Sequence, residues 1–433
     1  MQFLYSSSAD FAKKFDHILK RASMDIAHVG ETVLEIIERV KQKGDEAVFE
    51  DISRFDGWEP KCTDDLRIDP KLMKSAYERL EEKLKEALHL AFERIKSYHE
   101  KQMPKSWIDF EKNGTVLGQK VTPVERAGLY IPGGKAAYPS SLLMNAVPAI
   151  VAGVEKIIVA TPTPNDEPNE LLLAACHLCG IEDVFKVGGA TAVAAMAYGT
   201  STIPKVDVIT GPGNIYVATA KKLVYGEVNI DMIAGPSEIG VIADESADAE
   251  YVALDLLSQA EHDEMASSIL ITDSEVLAKE VAEAVERILS KLQRESIASV
   301  SIKERGAVIV TRSIAEAVDL MNLVAPEHLE ILTRNPFEIL PMIKNAGAIF
   351  LGENTPEPIG DYIAGPNHTL PTGGTARFYS PLSTEHFLKK SSIISFSCQA
   401  MKDIGEAASL LARTEGLEAH ALSVEARLDK IDK

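Results

Sequence analysis

From about residue 120 the chain alternates short apolar runs with longer helical stretches. The runs are IIVAT (157–161), DVFKVGG (183–189), VDVITGPG (206–213), DMIAGPS (231–237), GVIAD (240–244), SILIT (268–272), AVIVT (307–311), LEILT (329–333) and AIFLG (348–352). Segments such as NELLLAACHLCG and SEVLAKEVAEAVERILSKL lie between them. Apolar, β-branched runs without polar alternation suit strands covered on both faces, and the intervening helices supply the covers. Nine such runs fit two mainly parallel sheets better than one. The join is expected near DMIAGPSE, where Gly235-Pro236 interrupts regular structure.

The flanks read differently. Residues 1 to about 105 are mostly helical in pattern. In ERLEEKLKEALHLAFERIKSYHEKQ, Leu80, Leu84, Leu88, Phe92 and Ile95 recur at helical spacing against a charged face. That fits a surface helix packed on its own domain better than a coiled-coil arm. TPEPIGDYIAGPNHTLPTGGTARF is too long for a simple connection, which marks it as functional, and its aromatic and apolar residues argue for order. From Thr384 the pattern is helical to the end.

Composition narrows the partners. The 433 residues allow two or three domains with sizeable cores. A formal net charge of −20 disfavours nucleic acid and anionic membranes, which need basic surfaces. Four cysteines are too few for a disulfide framework in so long a chain. MQFLYSSSADFAKKFD carries an early acid and no apolar core of the signal-peptide kind. The most apolar stretch, LLMNAVPAIVAGV, is too short to span a bilayer. A cytoplasmic protein without nucleic-acid or membrane partners is expected.

Three segments carry candidate chemistry. Around LLSQAEHDE, Val252, Ala253, Leu256, Leu257 and Ala260 share one helix face at 100° per residue, with Gln259 at its edge and His262 beyond it. The pair suits a solvated face, or two ligands offered to one metal at i, i+3. In LVAPEHLEILT, Pro326 is expected to begin a helical turn. Glu327 and His328 then read either as a first-turn acid with an incidental histidine or as an acid and base side by side. In VITGPGNIYVATAKKLV a strand, a glycine turn and a helix starting near Asn214 make the layout in which backbone N–H groups meet a phosphate. VGGATAVAAMAYG and AGLYIPGGKAAYP share that layout, although none is a full dinucleotide fingerprint and Lys135 lacks the Walker frame. Together the three turns point to a nucleotide-sized anion. His368 and His420 sit among glycines and acids, with Asp361 near the former. His17, His28, His89, His99, His177 and His386 read as structural or surface residues. Cys176-His-Leu-Cys179 lies within an apolar helix and reads as core packing.

ERAGLYIPGGKAAYPSSLLMNAVPAIVAGV, IDMIAGPSE, LLSQAEHD, APEHLEI, AGAIFLG, GDYIAGPNHTLPTGGTARF and EGLEAHA together resemble the histidinol dehydrogenase family, from about residue 30 to the C-terminus. The resemblance implies oxidation of L-histidinol to L-histidine through L-histidinaldehyde, with two NAD and one zinc ion per subunit. It implies zinc ligands Gln259, His262, Asp361 and His420. Substrate contacts are implied at Ser237, Gln259, His262, His328, Asp361, His368, Glu415 and His420. His328 matches the general base and Glu327 the group that activates water. Tyr130, Thr191 and Asn214 stand at NAD contacts, Thr191 where the family carries glutamine. A homodimer with shared sites is implied, the C-terminal segment reaching the partner subunit. The expected fold is α/β, with two Rossmann-like parallel-sheet domains, a helical N-terminal arm and a small helical C-terminal domain. The expected division is an arm at 1–25, a first domain at 26–129 and 238–381, an NAD-binding domain at 130–237, and a helical domain at 382–433. Two competing readings stay open: a relative oxidising another polar alcohol, such as a sulfonated diol, and a metal-dependent hydrolase using Glu327 and His328.

Overall fold

A computed structural model of the chain describes residues 1–20, 26–133 and 139–431. The strands, in chain order, are β1 (Gln2–Tyr5), β2 (Trp107–Phe110), β3 (Val116–Pro123), β4 (Arg126–Tyr130), β5 (Lys156–Thr161), β6 (Asp183–Lys186) and β7 (Val208–Thr210). They continue with β8 (Asn229–Ile230), β9 (Glu238–Ala243), β10 (Ser267–Thr272), β11 (Ala307–Val310), β12 (His328–Leu332), β13 (Ala348–Leu351) and β14 (Leu388–Ser395). Two compact units form. One holds Met1–Gln102 and Val124–Phe387, the other Met103–Pro123 and Leu388–Lys433.

The larger unit contains two all-parallel sheets. One has the order β6-β5-β4-β7-β8, the other β1-β11-β10-β9-β12-β13. In both the chain steps outward for three strands, then returns to the other side of the first. That reversal opens a crevice at the sheet edge, between β4 and β7 in one sheet and between β9 and β12 in the other. Every residue of β9, β10 and β12 is buried, as parallel strands covered on both faces require. The α/β class and the parallel sheets agree with the apolar runs. The chain leaves the first sheet at Ile230 and enters the second at Glu238, across Gly235-Pro236.

Four sequence expectations need correction. DMIAGPS forms no strand. The ladder ends with β8 just upstream, and Pro236 has no N–H to continue it. The chain opens not with a helical arm but with β1, which pairs with β11 at the sheet edge, before the helix Phe11–Leu19. β4 was not foreseen because RAGLY lacks β-branched residues, yet it is the central strand of its sheet. Its Gly128 is required by packing, since a Cβ there would come within 2.7 Å of Met196 Sδ. Finally, the region after Thr384 is not helical throughout. β14 pairs antiparallel with β3, which also pairs with β2, making the small sheet of the second unit. LKKSSIIS is polar and mostly exposed, so it carried no burial signal. The helices Cys398–Thr414 and Glu418–Ile431 follow it.

The helix Glu82–Glu100 buries Leu88, Ala91 and Ile95 against Leu143, Met144 and Val147 of the helix Pro139–Ala152, so it packs within its own unit. The helix Ile314–Val324 starts with Ser313 accepting from Glu316 N–H, while the Glu316 carboxylate takes three bonds from Arg312. Those bonds lower the Glu316 pKa to about 2. A depressed carboxyl pKa contributes stability above the unfolded value, lost as pH falls. The destabilisation caused by Arg312→Ala is therefore expected in full above about pH 5 and to fade between pH 4.5 and 2, measured as the midpoint difference from the parent in urea unfolding. Among the described residues no helix is long and apolar enough to cross a membrane.

Candidate active site

The helix Ala249–Ala260 starts because Asp248 caps it, accepting from Glu250 and Tyr251 N–H. Its predicted stripe, Val252, Ala253, Leu256, Leu257 and Ala260, is wholly buried. Gln259 is buried as well, at 1 % exposure, and its Oε1 has no hydrogen-bond partner. A buried carbonyl oxygen left unpaired costs free energy, so a solvated face is excluded for Gln259. His262 sits in the turn after the helix, with an exposed edge. Crowding by protein atoms lowers its pKa, and Asp361 partly raises it.

Pro326 starts no helical turn, which corrects the sequence reading. Ala325 closes the preceding helix in the left-handed region, and Gly347 and Ala348 N–H then bond Pro326 and Glu327 carbonyls. His328 is the first residue of β12, paired with Ile239 and Ala348. Glu327 and His328 therefore lie at the amino edge of the six-stranded sheet. Glu327 Oε2 accepts from Glu238 N–H at 2.9 Å, and His328 Nδ1 lies 3.2 Å from the Glu238 carbonyl oxygen. With Nδ1 donating to that carbonyl, Nε2 is the nitrogen turned toward the carboxylates. Nε2 lies 3.2 Å from Asp361 Oδ1 and 3.8 Å from Glu357 Oε1.

Asp361 sits on the π-helical turn Gly360–Ala364, directly after the short helix Glu357–Ile359. The loop rich in proline and glycine is thus ordered around its acids. His368 Nδ1 lies 3.0 Å from the Asp361 backbone oxygen. His328, Glu357 and Asp361 offer ligand atoms within 4.8 Å of one another, a group able to hold a cation. Sequence reasoning missed Glu357. Its only signal was its position four residues before Asp361, and nothing in TPEPIGDY marks that stretch as helical. Ser237 is half-buried just before β9, its carbonyl accepting from Ser267 N–H. Glu415 and His420 are exposed, in the second unit.

The acids and the histidine shift one another strongly, and a cation among the carboxylates would displace the proton that they hold on His328. Burial opposes charge on His328, but Glu327, Asp361 and Glu357 together push its pKa up to about 10. Burial raises Glu327 to about 8, and burial with the Asp361 charge does the same to Glu357. Burial also raises Asp361, but the bond and charge of His328 outweigh it and hold the carboxyl well below the usual range. A divalent cation fits this place: His328, Glu357 and Asp361 offer it nitrogen and oxygen donors, and the buried amide oxygen of Gln259 has no hydrogen-bond partner.

The cofactor candidates gather at the carboxyl edge of the five-stranded sheet. Tyr130 ends β4, and its Oη accepts from Gly189 N–H at 3.2 Å. Burial pushes its pKa up to about 12. Gly211, at φ 119°, brings the turn after β7 against Tyr130, where a Cβ would lie 2.0 Å from the Tyr130 carbonyl oxygen. Asn214 is the N-cap of the helix Ile215–Val224, accepting from Tyr216 and Val217 N–H. The space beside Gly189 is open. Thr191 is different. It is buried in the helix Gly189–Tyr198 and donates to Asp51 Oδ2 at 2.6 Å, while Asp51 is also paired with Arg39. Its hydroxyl is committed to joining helices. Gly134 and Lys135 of IPGGKAAYP lie outside the described residues, as does the side chain of His28. His99 is buried, with Nδ1 2.7 Å from the Ile95 carbonyl, a structural role. Cys176 is fully buried, and burial raises its thiol pKa, as expected of a packing residue.

The sequence profile of histidinol dehydrogenase matches residues 19–428. Histidinol dehydrogenase of Wolinella succinogenes is 67% identical over 425 residues, 98% of each chain. That of Sulfurimonas denitrificans is 63% identical, over 99% of this chain and 100% of the relative. The crystal structure of histidinol dehydrogenase from Elizabethkingia anophelis superimposes with a TM-score of 0.94 at 35% identity, covering 100% of this chain and 99% of that one. The chain belongs to the histidinol dehydrogenase family of NAD-dependent oxidoreductases.

Proposed function

We propose that the chain oxidises L-histidinol to L-histidine through L-histidinaldehyde, in two NAD-dependent steps. One zinc ion per subunit and a homodimer with shared sites complete the proposal. Gln259, His262 and Asp361 would hold the zinc with His420 of a second copy, and Ser237, His368 and Glu415 would contact substrate. Tyr130 and Asn214 would contact NAD. Thr191 is better read as a helix anchor, since its hydroxyl is already bonded. The observation that carries the reading is His328, fixed at Nδ1 by the Glu238 carbonyl with Nε2 turned to Asp361.

The chain's own groups define the steps. His328 Nε2 takes the hydroxyl proton of the alcohol as the carbinol carbon loses hydride. Glu327, anchored by Glu238 N–H, then orients a water toward the aldehyde and takes its proton. The resulting hydrate loses a second hydride and leaves as the acid. NAD accepts one hydride in each half-reaction. A cation held by Gln259, His262 and Asp361 would supply positive charge among the carboxylates, which would help to fix an imidazole-bearing alcohol in place.

Purified protein given NAD and L-histidinol should form reduced cofactor, followed by absorbance. Chelation should abolish turnover, and added zinc, manganese or cobalt should restore it to different degrees. His262→Asn should lose metal by elemental analysis; full occupancy would remove that ligand from the set. Reduced cofactor formed only with a different polar alcohol would reassign the substrate. Absence of NAD binding would favour the hydrolase reading.

A further inference from the structure

Glu330 is fully buried in β12, two residues after His328 and so on the same face of the strand. An acid in the centre of an all-parallel sheet is costly unless it is paired. Its Oε1 accepts from Glu357 N–H at 2.8 Å. Glu357 is the first residue of the short helix leading to Asp361, and Pro356 before it gives no side-chain cap. Glu330 therefore caps that turn from another element. Its Oε2 makes no ordinary hydrogen bond, and the charged group acting on it most strongly is the Asp255 carboxyl. Burial, then Asp255, raises the Glu330 carboxyl well above its usual range. Asp255 lies one helical turn before Gln259, and Ser258 Oγ is 3.1 Å from Glu357 Oε2.

We propose that Glu330 is a positioning residue for the cation site. Its buried carboxyl group ties β12 to the Glu357–Ala364 turn, to which Ser258 joins the helix Ala249–Ala260, and the frame so made holds Asp361 in register with His328 and Gln259. These three elements carry the acid, the base and the amide oxygen. The inference rests on the metal-dependent reading above.

The test uses the full-length chain, stripped and titrated with zinc against a competing chelator. Glu330→Leu is expected to weaken zinc affinity about 10- to 100-fold, as loss of a group supporting metal ligands does. Glu330→Gln keeps an uncharged acceptor for Glu357 N–H, so parental affinity is expected. Ser258→Ala, which removes one tie at the edge of the frame, should weaken zinc measurably, and it decides the matter should the leucine variant fail to fold. Parental affinity in Glu330→Leu or in Ser258→Ala would overturn the proposal. So would a glutamine variant as weak as the leucine one. A merely structural Glu330 would lower the unfolding midpoint of the metal-free chain and leave zinc affinity alone. A parent chain that binds no zinc would instead refute the function proposed above.

Discussion

His328→Asn is expected to leave zinc in place while slowing alcohol oxidation by about 10²- to 10⁴-fold, the usual contribution of a general base. The geometry gives the reason. Nδ1 faces the Glu238 carbonyl, so the ring presents Nε2, the nitrogen nearest Asp361. Asparagine can keep one polar contact but has no titrating nitrogen to accept the alcohol proton. The loss should fall on kcat more than on KM, because the base acts in the transition state. L-Histidinaldehyde supplied directly should be oxidised with a smaller deficit, since Glu327 serves that half. Steady-state rates with both substrates, with metal content on the same samples, check this. Unchanged alcohol turnover would refute the base. Lost zinc would place His328 among the ligands, as its closeness to Glu357 and Asp361 allows.

The second large effect lies at the cofactor turn. Lys221→Met is expected to cost about 3–5 kcal/mol, the usual result of breaking a buried ion pair from one side. Lys221 and Asp231 form that pair, each with no more than 2% of its side chain exposed. Lys221 Nζ also donates to the Gly211 carbonyl at 2.9 Å, and Asp231 Oδ2 accepts from Gly211 N–H at 2.8 Å. The two charges thus grip both backbone groups of the glycine that starts the turn after β7. Without the lysine, Asp231 remains buried and uncompensated. Denaturant unfolding followed by fluorescence should show the loss, and NAD affinity should fall with it because the turn loses its anchor. Adding Asp231→Asn to the lysine variant should recover part of the stability, since the buried charge is gone while an acceptor for Gly211 N–H remains. A double variant no more stable than the single one would show that the charge is not the cause.

The division between what was legible and what was not follows contact range. Strands β9 to β12 were readable as largely apolar runs because burial on both faces favours apolar positions. The stripe from Val252 to Ala260 and the helix start at Asn214 were equally readable, since periodicity and capping are local properties. Site residues were legible mainly through resemblance. The residues alone left His262 and His328 between structural and chemical roles. Glu357 was invisible because its importance comes from Glu330, Ser258 and His328, all distant in sequence.

By itself, the sequence determined the α/β class, most of the buried strands, the break at Gly235-Pro236 and the family. Those depend on hydrophobic patterning and on motifs that neighbours in the chain define. Only the tertiary structure decided that Pro326-Glu327-His328 leads into a strand and that LKKSSIIS pairs with β3. It alone turned Thr191 toward Asp51 and buried Glu330 in β12 against the Glu357 turn. In each case the deciding energy comes from hydrogen bonds and burial between segments far apart in the chain, which no local pattern records.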